Sequence, residues 1–411
     1  VLNNASSRRW FFNKIEQCRL RSVKAAIPAC VLHPTLKEFA MSLDQYFTLG
    51  RSGLRVSRLA LGAMTFGENW GWGTAEETAR AMFNRYLEAG GNFIDTADMY
   101  TEGSSESMLG KFIEESGTRD RVVLTTKFTY NAQPGNPNAG GNGRKNIMRA
   151  VEGSLRRLRT DYIDLYLLHT WDRLTPAEEV VRTLDDLVRA GKIRYAGLSD
   201  IPAWYAARAQ TYAEAHALTP LVNMQLEYSL AERHIEHEYV PLAQNLGLGI
   251  TAWSPLAMGM LSGKYKPSQQ GGEGDGRLAK VTGAPGFERF TERNWRIVAE
   301  LEQVAKEAGQ SMAAVALNWV ATQPGIASVI IGATKLEQLD ANLAALAFEL
   351  PAELRARLDA VSAPERPFPY YMFADIQQTR IHGGVAVGDK PKGYATPVFV
   401  PQVEAREIRA R

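Results

Sequence analysis

Four polar side chains stand where apolar runs stop: Asp95 and Tyr100 in FIDTADMY, Lys127 in VVLTTK, and His169 in YIDLYLLH. An acid, a phenol, an amine and an imidazole are the parts of a proton donor. A phenol is a poor acid near neutrality and needs a nearby cation to lower its pKa, which Lys127 can supply. That amine needs a counter-charge to stay protonated, and Asp95, the first polar residue after its run, is the candidate. His169 then serves as a hydrogen-bonding partner for a carbonyl oxygen. Taken singly, each has a plainer reading: Tyr100 as a surface aromatic, Lys127 as a snorkelling strand end, His169 as a satisfied core histidine. Taken in order on successive strand ends, they point to one place, and strand ends converge in that way at the mouth of a parallel barrel.

The elements that must position them are legible as repeats. Apolar runs at 59–64, 93–97, 122–127, 162–169, 194–199, 221–229, 249–254 and 327–333 make eight candidate strands. Their mostly continuous apolar character suits strands buried on both faces. Helical patterns such as Glu76–Ala89, Asn146–Arg157, Pro176–Ala190 and Leu336–Leu346 lie between them. Eight strand–helix repeats predict an α/β fold, a (β/α)8 TIM barrel, preceded by a hairpin around Gly50-Arg51-Ser52-Gly53. A doubly wound open sheet would place G-x-G-x-x-G after its first strand, and none is present. Residues 131–144, 265–290 and the tail beyond Ala363 exceed ordinary connections, so the first two are expected to overhang the site.

Across 411 residues the net charge is +2, but residues 1–40 contribute +5 and the remainder −3. A mildly acidic body has no electrostatic footprint for nucleic acid. Both cysteines, Cys18 and Cys30, fall in the basic leader at 1–41, so residues 42–411 carry neither a disulfide scaffold nor a catalytic thiol. The leader reads either as a transit peptide or as upstream sequence before a natural start at Met41, and the second reading is preferred. No apolar run approaches the ~20 residues of a membrane span, so a soluble, cytoplasmic protein is expected, and a homo-oligomer is compatible with it.

The chain resembles the aldo-keto reductases, and more closely the branch that includes potassium-channel beta subunits and bacterial oxidoreductases than the aldose-reductase branch. The resemblance runs from about Tyr46 to Phe368 and rests on NFIDTADMYTEGSSESMLG, the lysine and histidine strands, GLSD, NMQLEYSL, AWSPLAMGMLSGKY and IIGATKLEQLDANL. It implies an NADPH-dependent reductase of aldehyde or ketone carbonyls, with Tyr100 as general acid, Asp95 and Lys127 tuning it, His169 orienting the substrate, and no metal. It further implies that Trp253 stacks on the nicotinamide while Ser199 and Gln225 bind its carboxamide. Gly62, Met64, Ser254, Pro255, Leu256 and Ala257 would line the cofactor's path, with Gly332, Thr334, Gln338 and Asn342 at the adenosine end. Lys264 and Arg277 would lie near a ribose phosphate.

Two departures bear on the cofactor. Asp200 stands where the family usually has Asn or Arg, and Ala341 replaces an acidic residue often found before the final Asn. Three cations near the expected phosphate, Lys264, Arg277 and Lys335, still favour NADPH over NADH. Trp70, Trp72, Phe128 and Trp171 are the expected walls of the substrate pocket. The segment His234-Ile235-Glu236-His237-Glu238 has the wrong spacing for a zinc motif. Two rivals to a reductase are a Schiff-base aldolase using Lys127 and a cofactor-binding regulatory subunit with little turnover.

Overall fold

A computed structural model describes residues 43–267, 278 and 288–385. Two short antiparallel strands, β1 (Tyr46–Thr48) and β2 (Arg55–Ser57), form the expected hairpin. Eight parallel strands follow: β3 (Leu59–Gly62), β4 (Phe93–Asp95), β5 (Val123–Phe128), β6 (Ile163–Leu168), β7 (Ile193–Ser199), β8 (Leu221–Glu227), β9 (Gly249–Trp253) and β10 (Ile326–Ile331). Each pairs with its neighbour in sequence, and β10 closes onto β3 through Val329–Leu59, Ala60–Ile330 and Leu61–Ile331. The result is a closed, TIM-barrel-like sheet surrounded by helices, and every apolar run read from the sequence contributes one strand.

The helices succeed the strands in turn: α1 (Glu76–Glu88), α2 (Ser104–Ser116), α3 (Arg144–Leu158), α4 (Ala177–Arg189), α5 (Ala203–Ala215), α6 (Ile235–Leu246), then α7 (Glu292–Glu307) and α8 (Met312–Ala321) before β10, and α9 (Leu336–Leu343) after it. Helix α10 (Ala352–Ser362) and a short α11 (Asp375–Ile381) complete the described chain, so the tail beyond Ala363 is partly helical rather than wholly irregular. Among the described residues no helix is long and apolar enough to cross a membrane.

The two-residue period of the strands, broken in β8 by a register shift opposite Ala196 and Gly197, sorts their side chains into two layers. Outward residues such as Ile94, Leu124, Phe128, Tyr166, Leu168, Met224 and Ile250 pack with the helices in one large core. Ala60, Phe93, Val123, Leu165, Leu167 and Val222 instead join Leu49 and Val56 of the hairpin, which plugs the amino-terminal end of the barrel. Along the inward set, apolar residues at the bottom give way to polar ones at the top: Phe93 then Asp95, Val123 then Thr125 and Lys127, Leu167 then His169. This gradient puts the polar groups at the carboxyl-terminal mouth, where a barrel can bind a ligand without opening its core.

Candidate active site

Lys127 is the centre of the mouth. Its side chain is fully buried, and its ammonium donates to Asp95 Oδ1 at 2.7 Å, to the Thr96 carbonyl at 2.8 Å and to the Tyr100 hydroxyl at 3.2 Å. All three ammonium protons are therefore committed. Burial alone would lower the Lys127 pKa, but Asp95 and Tyr100 outweigh it and the group is held above its ordinary value. An amine kept protonated in this way is a poor nucleophile, which argues against imine chemistry.

Tyr100 is placed by a strained turn between β4 and α2. Thr101 and Glu102 adopt left-handed backbone (φ 46° and 59°), and the Thr101 hydroxyl donates to the Phe66 carbonyl at 2.6 Å while accepting from the Ser105 amide. Non-glycine residues hold such conformations only where the surroundings over-determine them. The phenol itself departs from expectation. Burial raises its pKa, Lys127 pulls it down, Asp95 and Asp200 push it up, and the balance lies above the ordinary value. The downward pull of Lys127 is thus outweighed by burial, and the cation stands beside an oxygen that remains protonated.

His169 follows β6, its ring 5.6 Å from that of Tyr100 at an interplanar angle of 77°. Burial, reinforced by the charge on Lys127, holds its pKa well below the usual value, so the imidazole is neutral at physiological pH. Tyr130, which the sequence reading did not single out, packs edge-on against the imidazole at 5.0 Å. Trp70 lies 6.4 Å from Tyr100 and 5.5 Å from Trp72, so both tryptophans belong to the mouth. Trp171 sits farther out, edge-on to the exposed Trp204 at 5.6 Å. Phe128 corrects the expectation for the pocket wall. Lys127 faces inward, so its neighbour faces outward, and Phe128 is fully buried against Tyr166 beneath the helices.

The groups expected around a nicotinamide gather at the ends of β7, β8 and β9. Trp253 Nε1 donates to Asp200 Oδ1 at 3.0 Å, and Ser199 ends β7 just before Asp200. Gln225 Nε2 donates to Asp95 Oδ2 at 2.7 Å, so this amide is tied to the acid as well as facing the mouth. After β9, Ser254, Ala257, Met258 and Gly259 all adopt positive φ, and the Met258 amide donates to Ser254 Oγ at 3.2 Å. A Cβ on Gly259 would lie 2.7 Å from Lys264 Nζ, so glycine is what lets the ammonium rest against this turn. A left-handed turn with an ammonium upon it is a donor set suited to a phosphate, and in that respect these residues fit a nucleotide cofactor.

At the far end, Gln338 Oε1 accepts from the Thr334 amide at 2.9 Å, and Asn342 Nδ2 donates to the Gly332 carbonyl at 3.1 Å. Gly332, Thr334, Lys335 and Gln338 are exposed there, with open space where a Gly332 Cβ would be. Gly62 has a structural reason to be glycine, since a Cβ would meet Ile330 Cγ2 at 2.7 Å and prevent β10 from closing on β3. Met64 is half-buried beyond β3, and Pro255 and Leu256 continue the turn after β9. Arg277 lies outside the described residues.

The loop after β5 is stitched to the mouth, with the Asn142 amide donating to Asp172 and its side chain to the Thr170 carbonyl. Much of the second long loop lies outside the described residues, but Arg289 pairs with Glu227 at the end of β8 at 2.6 Å. The His234–Glu238 segment is structural: His234 pairs with Glu232, and His237 stacks on Tyr370 of the tail at 5.1 Å. Among the described residues no cluster of His, Cys, Asp and Glu could hold a metal ion.

Residues 58–363 match the model of the aldo/keto reductase family. The uncharacterized oxidoreductase YrpG of Bacillus subtilis is 38% identical over 77% of this chain and 95% of its own length. A probable voltage-gated potassium channel subunit beta of Oryza sativa is 37% identical over 79% of this chain and 99% of its own. An NADP(+) aryl-alcohol dehydrogenase of Phanerodontia chrysosporium is 34% identical over 79% and 87%.

Proposed function

The chain belongs to the aldo/keto reductase family and is an NAD(P)H-dependent oxidoreductase, and from that premise we propose that it reduces aldehyde or ketone carbonyls with NADPH, using Tyr100 as general acid. The observation that carries this reading is the 3.2 Å contact between Lys127 and the Tyr100 hydroxyl at a barrel mouth. A reduced nicotinamide nucleotide, when bound, supplies hydride to the carbonyl carbon. Tyr100 gives its proton to the carbonyl oxygen, and Lys127 stabilises the phenolate left behind. Asp95, held by Gln225, keeps Lys127 charged and in place. Neutral His169 offers a ring nitrogen to the same oxygen without competing for the proton.

Ser199, Asp200, Gln225 and Trp253 would hold the nicotinamide end; Ser254, Pro255, Leu256 and Ala257 the pyrophosphate side; Lys264 the ribose phosphate; Gly332, Thr334, Gln338 and Asn342 the adenosine end. The ammonium on the Gly259 turn, with Lys335 beside Thr334, supports NADPH over NADH, since a 2′-phosphate needs cations. Trp70, Trp72 and Tyr130 around Tyr100 and His169 favour a flat aromatic carbonyl, in keeping with the name of the Phanerodontia relative. Consumption of NADPH and of NADH against a panel of aryl and aliphatic aldehydes and ketones tests the reading. NADPH oxidation dependent on an aryl carbonyl supports it; binding of NADPH with no turnover on any carbonyl would favour a regulatory subunit.

A further inference from the structure

Asp200 is an unusual residue in an unusual posture. It sits just past β7 with φ 43°, a left-handed conformation that aspartate adopts more readily than most residues. Its backbone is tied to two neighbouring strand ends, β8 and β6: its amide donates to the Gln225 carbonyl, and its carbonyl accepts from the Trp171 amide and the Thr170 hydroxyl, each at 3.3 Å. Its carboxylate is then fixed to a third, β9, by the indole of Trp253 at 3.0 Å. The indole that donates to that carboxylate carries no compensating charge.

We propose that the Asp200 carboxylate makes this site distinguish the oxidised from the reduced nicotinamide, holding the cationic oxidised form more tightly when Asp200 is ionised. The inference rests on the reading that the nicotinamide lies against Trp253. The oxidised ring bears a positive charge and the reduced ring is neutral, so a fixed carboxylate beside the indole favours the first alone. Asp200 is exposed at the mouth, and a ring laid against the indole would cover its carboxylate from water; a charge so covered acts more strongly. An asparagine in this position would offer the same acceptor to Trp253 and no charge. Tighter hold on the oxidised form also makes hydride transfer to a carbonyl more favourable on the protein than in water.

The charge is poised to titrate. Although Asp200 is exposed at the mouth, desolvation by the protein crowded around its carboxyl, aided by the negative charge of Glu227, raises it to about 7, against the pull of the Trp253 indole and Lys127. The amine, phenols and imidazole facing it are shifted away from that range. Lys127 and the phenols Tyr100, Tyr130 and Tyr239 are all held above their ordinary values, and His169 well below its own. Glu227, from β8, is engaged by Arg289. Binding of the oxidised nucleotide then lowers the Asp200 pKa, and by linkage its affinity rises as pH increases through about 7.

Calorimetric titration of the intact chain with NADP+ and with NADPH, from pH 5.5 to 8.5, tests this. The 2′-phosphate titrates in both nucleotides, so the ratio of their dissociation constants isolates the nicotinamide. In the wild type the preference for NADP+ over NADPH should grow by about tenfold across the range, the change that one pKa unit of coupling carries. In Asp200→Asn the ratio should be flat, at the level the wild type shows at low pH. A flat ratio in the wild type would overturn the proposal without need of the variant, and so would an unchanged slope in Asp200→Asn. If neither nucleotide binds, the cofactor reading itself fails and this inference with it.

Discussion

Gln225 and Asp95, 130 residues apart in sequence, are joined across the barrel mouth by a 2.7 Å hydrogen bond from the side-chain amide to Oδ2. With Oδ1 taken by Lys127, both oxygens of the acid are engaged, one by a charge and one by an amide. Gln225 thereby fixes the carboxylate that fixes the lysine. Replacing Gln225 with Leu leaves Asp95 Oδ2 buried without its donor and should cost about 1.5–3 kcal/mol of stability, the range for hydrogen bonds to charged groups. Urea unfolding measures it. An unchanged midpoint would mean that the amide serves only a ligand.

Lys127 and Asp95 are a buried pair, with side-chain exposures of 0% and 4%. Removing the cation alone, as in Lys127→Met, strands the carboxylate and should destabilise by about 3–5 kcal/mol. Adding Asp95→Asn in the same chain should recover most of that loss, because no uncompensated charge remains. Turnover should stay low in both. Denaturant midpoints beside initial rates separate the two effects; recovery of turnover in the double variant would contradict the role given to Lys127.

Asp98 lies on the outer side of the same strand end, with Oδ1 buried and without a protein partner. Burial and then Glu106 raise its carboxyl to about 7, against Arg157 and Arg149. A folded pKa above the unfolded value of 3.8 means that the native state holds a proton that the unfolded chain has lost. That contribution is fully present below pH ~4 and is lost as pH rises through about 7. Asp98→Asn should accordingly raise stability at pH 8, by on the order of 1–3 kcal/mol, and the gain should shrink towards pH 4. Thermal unfolding across pH checks the sign; a gain independent of pH would contradict it.

Trp70 stands edge-on to Tyr100 at 6.4 Å, and aromatic pairs contribute about 0.5–1.5 kcal/mol beyond burial. Trp70→Ala should raise the KM of an aryl aldehyde by about threefold to tenfold and that of a short aliphatic aldehyde much less. Equal losses for both would remove the argument for an aromatic substrate.

Much of this was readable before any coordinates. The eight runs could be found because a barrel strand buries both faces, which writes a continuous apolar stretch into the chain. Asp95, Lys127 and His169 could be found because each is the polar end of such a stretch. What stayed hidden depends on facing and on distance. Phe128 reads as a pocket wall because the loops at that end of a barrel face the site, yet it adjoins the inward Lys127, and adjacency in a strand means opposite faces. The bond between Gln225 and Asp95, the contact of Tyr130 with His169 and the grip of Trp253 on Asp200 join segments that only closure of the barrel brings together. The upward balance of the Tyr100 pKa could not be read either, since it depends on how deeply the turn around Thr101 seats the ring. The helix at Asp375–Ile381 carries too few apolar residues to mark its own pattern.

The central claim is that Tyr100 donates the proton. Steady-state reduction of an aryl aldehyde by Tyr100→Phe, together with NADPH affinity by fluorescence titration, tests it most directly. The variant keeps the ring and its packing and loses only the hydroxyl. Turnover should fall by about 10²–10⁴, the span of general acid catalysis, while NADPH binds as it does to the wild type. Turnover near that of the wild type would contradict the assignment.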